Sequence, residues 1–351
     1  MPSAKSILFF FSLAIQCVDL VPALPMSGRA TGIAARKGKQ TQQAATGPKI
    51  STAKDGSTII DDSVVINGLN MRFKISAPAS ELVSANGTAA AGTLGLNVLF
   101  HGDGGQSFFD FPNQGVNSNL MGVALLSPDA DLRWGGSDPK DNTGLVRPDG
   151  PAHSAAVNQL LTKVLPTMVK FDPANIFLEG VSGGSLLLSG FMIPTFAASL
   201  GVPGAVLGCG GLVPQVPVQG DISGLRLHFQ STTDDLAALQ TSIPQAITAY
   251  EKIITDTTLL TADASPTGGH CEFDQKDFVS GVQLLSDNFA PILLGTGQLN
   301  GVSVANSVVG KEDLFANGGA AKTTAGKAAT TGKATATTGS TKNVVITFGR
   351  D

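Results

Sequence analysis

The chain is poor in aromatic residues that carry a polar tip, with one Trp and one Tyr among its 351 residues. These two residue types form the stacking surfaces of many sugar-binding and single-strand nucleic-acid-binding modules. Charge is also scarce: Asp, Glu, Lys and Arg make up 14% of the residues, and hydrophobic residues make up 42%. Such a composition excludes disorder along the whole chain and argues against a polymer-binding module.

The sequence also lacks a concentrated basic region in its central part. Residues 24–58 carry six Lys or Arg against one Asp, and residues 306–351 carry six against three acidic residues, although the net charge of the chain is −4. The part between these two segments is therefore acidic. Because binding to a phosphate backbone needs clustered basic side chains, we expect no nucleic-acid partner.

Long hydrophobic runs are missing as well. The mostly apolar residues 7–15 are followed by Gln16 and Asp19, well short of the ~20 residues that a membrane-spanning helix needs. With Lys5 before this stretch and a small residue, Ala23, at a suitable cleavage position, residues 1–23 are typical of a signal peptide. We expect a secreted, extracellular protein without a membrane span; a membrane anchor is the alternative interpretation.

Cysteine is rare, with three in the chain. Removal of the signal peptide takes away Cys17 and leaves Cys209 and Cys271, which we expect to form a disulfide in an oxidising compartment; two separate buried thiols are the alternative. Asn86-Gly87-Thr88 is an acceptor sequence for an N-glycan on Asn86. The sequence contains no His-Glu-x-x-His motif and no cysteine cluster, so we expect no metal and no cofactor.

The distribution of apolar residues divides the chain into four parts. Residues 24–57 are small and polar, as in a flexible linker or pro-segment, and residues 306–351 form a low-complexity tail that we expect to be disordered. The main folded domain is expected over residues 58–305. It begins with an antiparallel hairpin whose turn is Asn67-Gly68, and short apolar strands then alternate with helical segments. This pattern predicts an α/β fold with a mainly parallel sheet and helices on both faces.

The most informative motif is Gly180-Val181-Ser182-Gly183-Gly184, which lies between an apolar strand and a helix-like segment. A serine on a sharp strand-to-helix turn needs small residues two positions away on either side, and Gly180 and Gly184 meet that demand. Ser182 is therefore the candidate nucleophile. A simple helix N-cap serine is the alternative interpretation.

A nucleophilic serine needs a base and an acid, which follow it in the order serine, acid, histidine in this kind of site. Of the two histidines after Ser182, His228 lies within an apolar strand, whereas His270 lies in a glycine-rich loop and is the candidate base. Asp234 and Asp235 follow the strand at residues 225–229. We favour Asp234 as the acid, with Asp235 as the alternative.

Acyl transfer also needs backbone N–H donors for the oxyanion. Gly183 supplies one, and Asp103 or Gly104, in the loop His101-Gly102-Asp103-Gly104-Gly105, supplies the other. His101 is expected to hold this loop by hydrogen bonds. Trp134, the sole Trp, follows a predicted strand and is assigned either to the substrate pocket or to the core.

Together these motifs resemble the α/β-hydrolase fold, and within it the secreted serine esterases related to polyhydroxybutyrate depolymerases and to feruloyl or acetylxylan esterases. The resemblance covers roughly residues 94–289 and departs from the family at Ser231, where the relatives usually have glycine. It implies hydrolysis of a small-molecule or polymer-linked ester through Ser182, with no metal or organic cofactor. A serine peptidase and a non-catalytic wall or surface protein that kept the fold are the alternatives.

Overall fold

The computed structural model describes residues 49–84, 91–110, 115–256, 258–293, 298–299 and 302–303. The predicted signal peptide, the glycosylation site at Asn86 and the tail at 306–351 lie outside these residues. In the described part, a large mixed sheet forms the centre of the fold.

The sheet contains ten strands within the described residues, in the order β1-β2-β3-β6-β4-β7-β8-β9-β10, with β5 pairing beside β6. Their bounds are β1 Lys49–Thr52, β2 Thr58–Ile66, β3 Leu69–Ala77, β4 Gly95–Phe100, β5 Val116–Asn117, β6 Leu120–Leu126, β7 Ile176–Val181, β8 Gly204–Gly208, β9 Arg226–Gln230 and β10 Leu260–Asp263. Six neighbouring strands run parallel to one another, in the order β6-β4-β7-β8-β9-β10. The first three strands are joined to them and to one another in antiparallel fashion.

The helices pack against both faces of this sheet. They are α1 Gln106–Asp110, α2 Gly150–Gln159, α3 Gly183–Leu187, α4 Ile193–Leu200, α5 Ala237–Glu251, α6 Phe278–Asp287 and α7 Phe289–Leu293. One core cluster joins alternate strand residues such as Leu178 and Leu207 to α2, α4 and α5. A second cluster joins residues such as Phe177 and Val206 to α6 and α7. A further two-stranded sheet pairs β11 Gln298–Leu299 with β12 Val302–Ser303.

The central strands are buried on both faces, as the sequence predicted. All six residues of β4 and all six of β7 are buried. The helical segment Gly183–Leu200 is long and apolar enough to cross a membrane, but 78% of it is buried inside the protein. It is therefore accounted for as a core helix that packs against the sheet.

The hairpin formed by β2 and β3 confirms the prediction from Asn67-Gly68, because both turn residues have positive φ angles, 52° and 80°. The predicted linker, however, is wrong at its end. Residues Lys49–Thr52 pair with β2, and the Asp55 carboxylate accepts a hydrogen bond from the Val116 N–H. Folded structure therefore begins before Thr58.

Candidate active site

Ser182 lies on a sharp turn between β7 and α3. Its backbone angles, φ 50° and ψ −115°, are strained for a residue with a side chain. A Cβ atom on Gly180 would lie 2.7 Å from the Ser185 nitrogen, and one on Gly184 would overlap the Phe100 carbonyl oxygen. The two glycines therefore allow the turn to form between a strand and a helix, as the motif predicted.

His270 reaches Ser182 from the loop after β10. Its Nε2 lies 2.9 Å from Ser182 Oγ, and its Nδ1 lies 2.6 Å from Asp235 Oδ1. A proton on Nδ1 leaves Nε2 free to accept the serine hydroxyl proton. The structure thus joins a hydroxyl, an imidazole and a carboxylate in one continuous relay.

The acid in this relay is Asp235, so the assignment to Asp234 is wrong. Asp234 is exposed, and its N–H donates to the Gly268 carbonyl, whereas the side chain of Asp235 is 0% exposed. The Asp235 carboxylate also accepts hydrogen bonds from Ser231 Oγ and the Leu236 N–H. Ser231, the position that departs from the family pattern, therefore helps to hold the acid.

Two backbone N–H groups, of Asp103 and Gly183, belong to residues close to the serine: Gly183 follows Ser182 in the chain, and Asp103 packs on Gly183. In the part of the chain that the structure describes, neither the Asp103 N–H nor the Gly183 N–H donates to a protein acceptor. A Cβ on Gly183 would lie 3.4 Å from the Asp103 nitrogen, so the two residues are neighbours. Gly104 is ruled out as the donor, since its N–H donates to the Leu132 carbonyl.

His101 holds the loop that carries Asp103. It is fully buried; Nδ1 lies 2.6 Å from the Gly102 carbonyl oxygen, and Nε2 accepts a hydrogen bond from the Ser127 N–H. Burial lowers the pKa of His101 to about 4, so the ring is neutral near pH 7 and bridges the two backbone segments. This agrees with the role expected from the sequence.

Arg147 is the polar residue near the site that sequence reasoning missed. Its two terminal nitrogens each lie 2.9 Å from a carboxylate oxygen of Asp103, and they also donate to the carbonyls of Trp134 and Gly144. The Arg147 side chain is 3% exposed and that of Asp103 is 30% exposed. A pair separated by 44 residues leaves no pattern in a single sequence.

Of the two interpretations of Trp134, the core one is confirmed and the substrate-pocket one is wrong. Trp134 is 0% exposed and packs against the rings of Phe100, His101 and His153.

His228, the other histidine after Ser182, is also fully buried. Its ring nitrogens form hydrogen bonds with Thr261 and Gln230 inside the sheet, as expected for a strand residue.

A cavity of about 460 Å³ lies between the segment before α2 and the loop after β8. Its walls are mostly apolar, and Arg147 forms part of them. The segment before α2 follows β6, and the other loop follows β8. In the sheet these two strands flank the neighbouring strands β4 and β7; β4 leads to Asp103, and β7 leads to Ser182. The cavity wall and the candidate oxyanion loop therefore meet at Arg147.

The predicted disulfide between Cys209 and Cys271 is confirmed, with the Cα atoms 5.2 Å apart. Cys209 directly follows β8, and Cys271 adjoins His270. Cys209, Cys271 and His270 come close enough to suggest a metal site, but the disulfide occupies both sulfur atoms. This cluster fixes the histidine loop and offers no thiolate ligand.

Glu179 lies three residues before Ser182 and is fully buried in β7. Its carboxyl group accepts hydrogen bonds from Asn97 Nδ2 and Ser286 Oγ. Burial raises the pKa of Glu179 to about 7, which makes the neutral form easily accessible.

The order of strands and the placement of the serine, acid and histidine after β7, β9 and β10 define an α/β-hydrolase fold. No protein-family model and no curated protein matches the chain.

Solved structures similar to this chain share little sequence with it. A phospholipase/carboxylesterase from Dyadobacter fermentans is 15% identical, with 60% of this chain and 95% of that chain covered and a TM-score of 0.41. A Bacillus cereus carboxylesterase is 18% identical, with 52% and 84% covered and a TM-score of 0.40. A thermostable esterase is 14% identical, with 60% of this chain but only 54% of that chain covered and a TM-score of 0.38.

Proposed function

We propose that this protein is a secreted serine hydrolase that cleaves carboxylic esters. The observation that carries the proposal is the relay from Ser182 Oγ through His270 to the buried Asp235 carboxylate. The two unpaired N–H groups of Asp103 and Gly183 beside it support the same reaction class, because acyl transfer develops negative charge on the carbonyl oxygen.

The proposed reaction begins when Ser182 Oγ attacks the ester carbonyl carbon and His270 Nε2 takes the hydroxyl proton. Asp235 holds the Nδ1 proton in place and stabilises the imidazolium, while the N–H groups of Asp103 and Gly183 bind the oxyanion. Collapse of the tetrahedral intermediate breaks the bond to the alcohol, which leaves with the proton from His270. Water, activated by the same histidine, then hydrolyses the acyl-enzyme and restores the Ser182 hydroxyl.

Secretion, removal of residues 1–23 and glycosylation of Asn86 are part of the proposal and rest on the sequence motifs. The disulfide is consistent with an oxidising compartment.

Turnover of p-nitrophenyl acetate and butyrate by the full chain tests this proposal. We expect wild-type protein to hydrolyse both esters and Ser182→Ala to lose at least ~10³-fold in kcat while keeping its Tm. Ser199→Ala, an exposed serine on α4, is the matched control and should behave as wild type.

Two outcomes would favour the alternatives. Hydrolysis of azocasein without ester turnover would indicate a peptidase, and a folded wild-type protein that turns over neither class would indicate a non-catalytic protein.

A further inference from the structure

Asp103 places a negative group beside the proposed oxyanion site. Its own N–H is one proposed oxyanion donor, and its carboxylate packs so closely on Gly183 that a Cβ on that glycine would overlap Oδ1. Gly183 supplies the other donor. The carboxylate of Asp103 therefore lies next to both N–H groups that would bind the oxyanion.

A carboxylate in this position opposes the reaction if its charge is not balanced. Ester attack converts a neutral carbonyl oxygen into an anion, and a nearby negative charge raises the energy of that anion more than the energy of the bound ester. The effect is larger in a partly dry site than in water.

Arg147 is arranged to balance this charge. The guanidinium is always protonated, and its two terminal nitrogens meet the two oxygens of Asp103 in a fork at 2.9 Å each. The carbonyls of Trp134 and Gly144 hold the same nitrogens from the other side, and the side chain is buried. The fork thus fixes both the charge and the direction of the Asp103 side chain.

We propose that Arg147 is a positioning residue that neutralises the Asp103 carboxylate and so permits the N–H groups of Asp103 and Gly183 to stabilise the oxyanion. This inference rests on the proposed ester hydrolysis. Arg147 acts through Asp103 and need not touch the reacting atoms. Its contribution belongs to the transition state, so it affects kcat rather than KM.

A double-mutant cycle between these two residues separates this electrostatic role from simple packing. Arg147→Met should lower kcat about 10- to 100-fold with KM within about twofold of wild type, a loss comparable to that of part of an oxyanion hole. Arg147→Lys, which keeps the charge, should recover most of this loss. Asp103→Asn keeps the backbone donor and removes the negative charge, so its own measured kcat is the reference for the double variant.

The decisive variant is Asp103→Asn combined with Arg147→Met. Once the carboxylate is gone, Arg147 has no charge to balance, so the double variant should match Asp103→Asn within about threefold. If Arg147 only supported the fold, replacing it with Met would instead lower kcat by the same factor in wild-type protein and in Asp103→Asn. If Arg147→Met alone does not fold, the ratio of kcat between the double variant and Asp103→Asn still decides the question.

Arg72→Met is the matched control, since Arg72 makes a similar two-bond fork with Asp61 on the β2–β3 hairpin. It should leave kcat unchanged. A tenfold or larger loss in the double variant relative to Asp103→Asn overturns the inference, as does wild-type kcat in Arg147→Met. Absence of ester turnover in wild-type protein would instead overturn the proposed function.

Discussion

At the scale of single residues, two adjacent aspartates show how local geometry divides roles. Asp235 is buried and accepts hydrogen bonds from Ser231, Leu236 and His270. Asp234, one position earlier, is exposed to solvent. Only the buried carboxylate can orient the imidazole and stabilise its charged form.

Asp235→Asn should therefore lower kcat for p-nitrophenyl acetate by at least ~10³-fold, because an amide favours the wrong histidine tautomer. Asp234→Asn is the matched control and should stay within about twofold of wild type. The reverse ranking would return the role to Asp234.

Glu179 predicts a pH dependence of stability. Its pKa is raised by burial from 4.5 to about 7, so folding favours the protonated form. The resulting stabilisation is present below about pH 4.5 and is lost as pH rises through about 7. Between pH 5 and 8, wild-type protein should lose about 2–3 kcal/mol more unfolding free energy than Glu179→Gln. Equal pH slopes in denaturant titrations of the two proteins would contradict this.

Sequence reasoning located Ser182 and His270 because each lies in a short motif with a steric or chemical requirement. It did not resolve the acid, since Asp234 and Asp235 both follow β9 and only the folded turn determines which one is buried. Arg147 carries no local signal. Its partner is distant in sequence, and the pairing arises from the way the loop after β6 folds back.

At the scale of elements, the disulfide joins the loop after β8 to the loop that carries His270. It closes a 62-residue separation, for which the chain-entropy treatment gives a stabilisation of about 4 kcal/mol. The bond also limits the positions that His270 can reach.

The variant Cys209→Ser, Cys271→Ser should therefore unfold at a lower denaturant concentration and show a reduced kcat under conditions where it is still folded. Wild-type protein kept oxidised is the control. Unchanged stability and unchanged kcat would show that the bond constrains neither the fold nor the histidine loop.

The cavity between the loops after β6 and β8 is also a feature formed between elements. On the proposed function, we expect this cavity to hold the apolar group of the ester, because its walls are mostly apolar. Val146 lies at its wall and is 47% exposed.

Val146→Trp should lower kcat/KM for p-nitrophenyl butyrate about 10-fold relative to the acetate, because the larger side chain occupies space needed by the longer acyl group. Val65→Trp, at a 69% exposed position on β2, is the control. If the ratio of kcat/KM between butyrate and acetate does not change, this cavity does not hold the acyl group. A series of acetate esters that differ in their alcohol then tests whether the cavity holds the alcohol group.

At the scale of the whole molecule, apolar strands separated by helical segments were enough to predict a mainly parallel sheet with helices on both faces. Strand β1 was missed because all four of its residues are exposed, so it has no buried face to produce an alternating pattern. The parallel strands bring the loops after β4, β7, β9 and β10 to one edge, where Asp103, Ser182, Asp235 and His270 lie. The site is thus a consequence of the strand order.

The central claim, that Ser182 is a nucleophile activated by His270 and Asp235, is tested most directly by covalent labelling with a fluorophosphonate followed by peptide mass spectrometry. The serine oxygen displaces fluoride from phosphorus only when it is activated. We predict one label per chain, on Ser182, absent in Ser182→Ala and at least ~100-fold slower in Asp235→Asn. A folded wild-type protein that takes up no label, or takes it up on another residue, would contradict the claim.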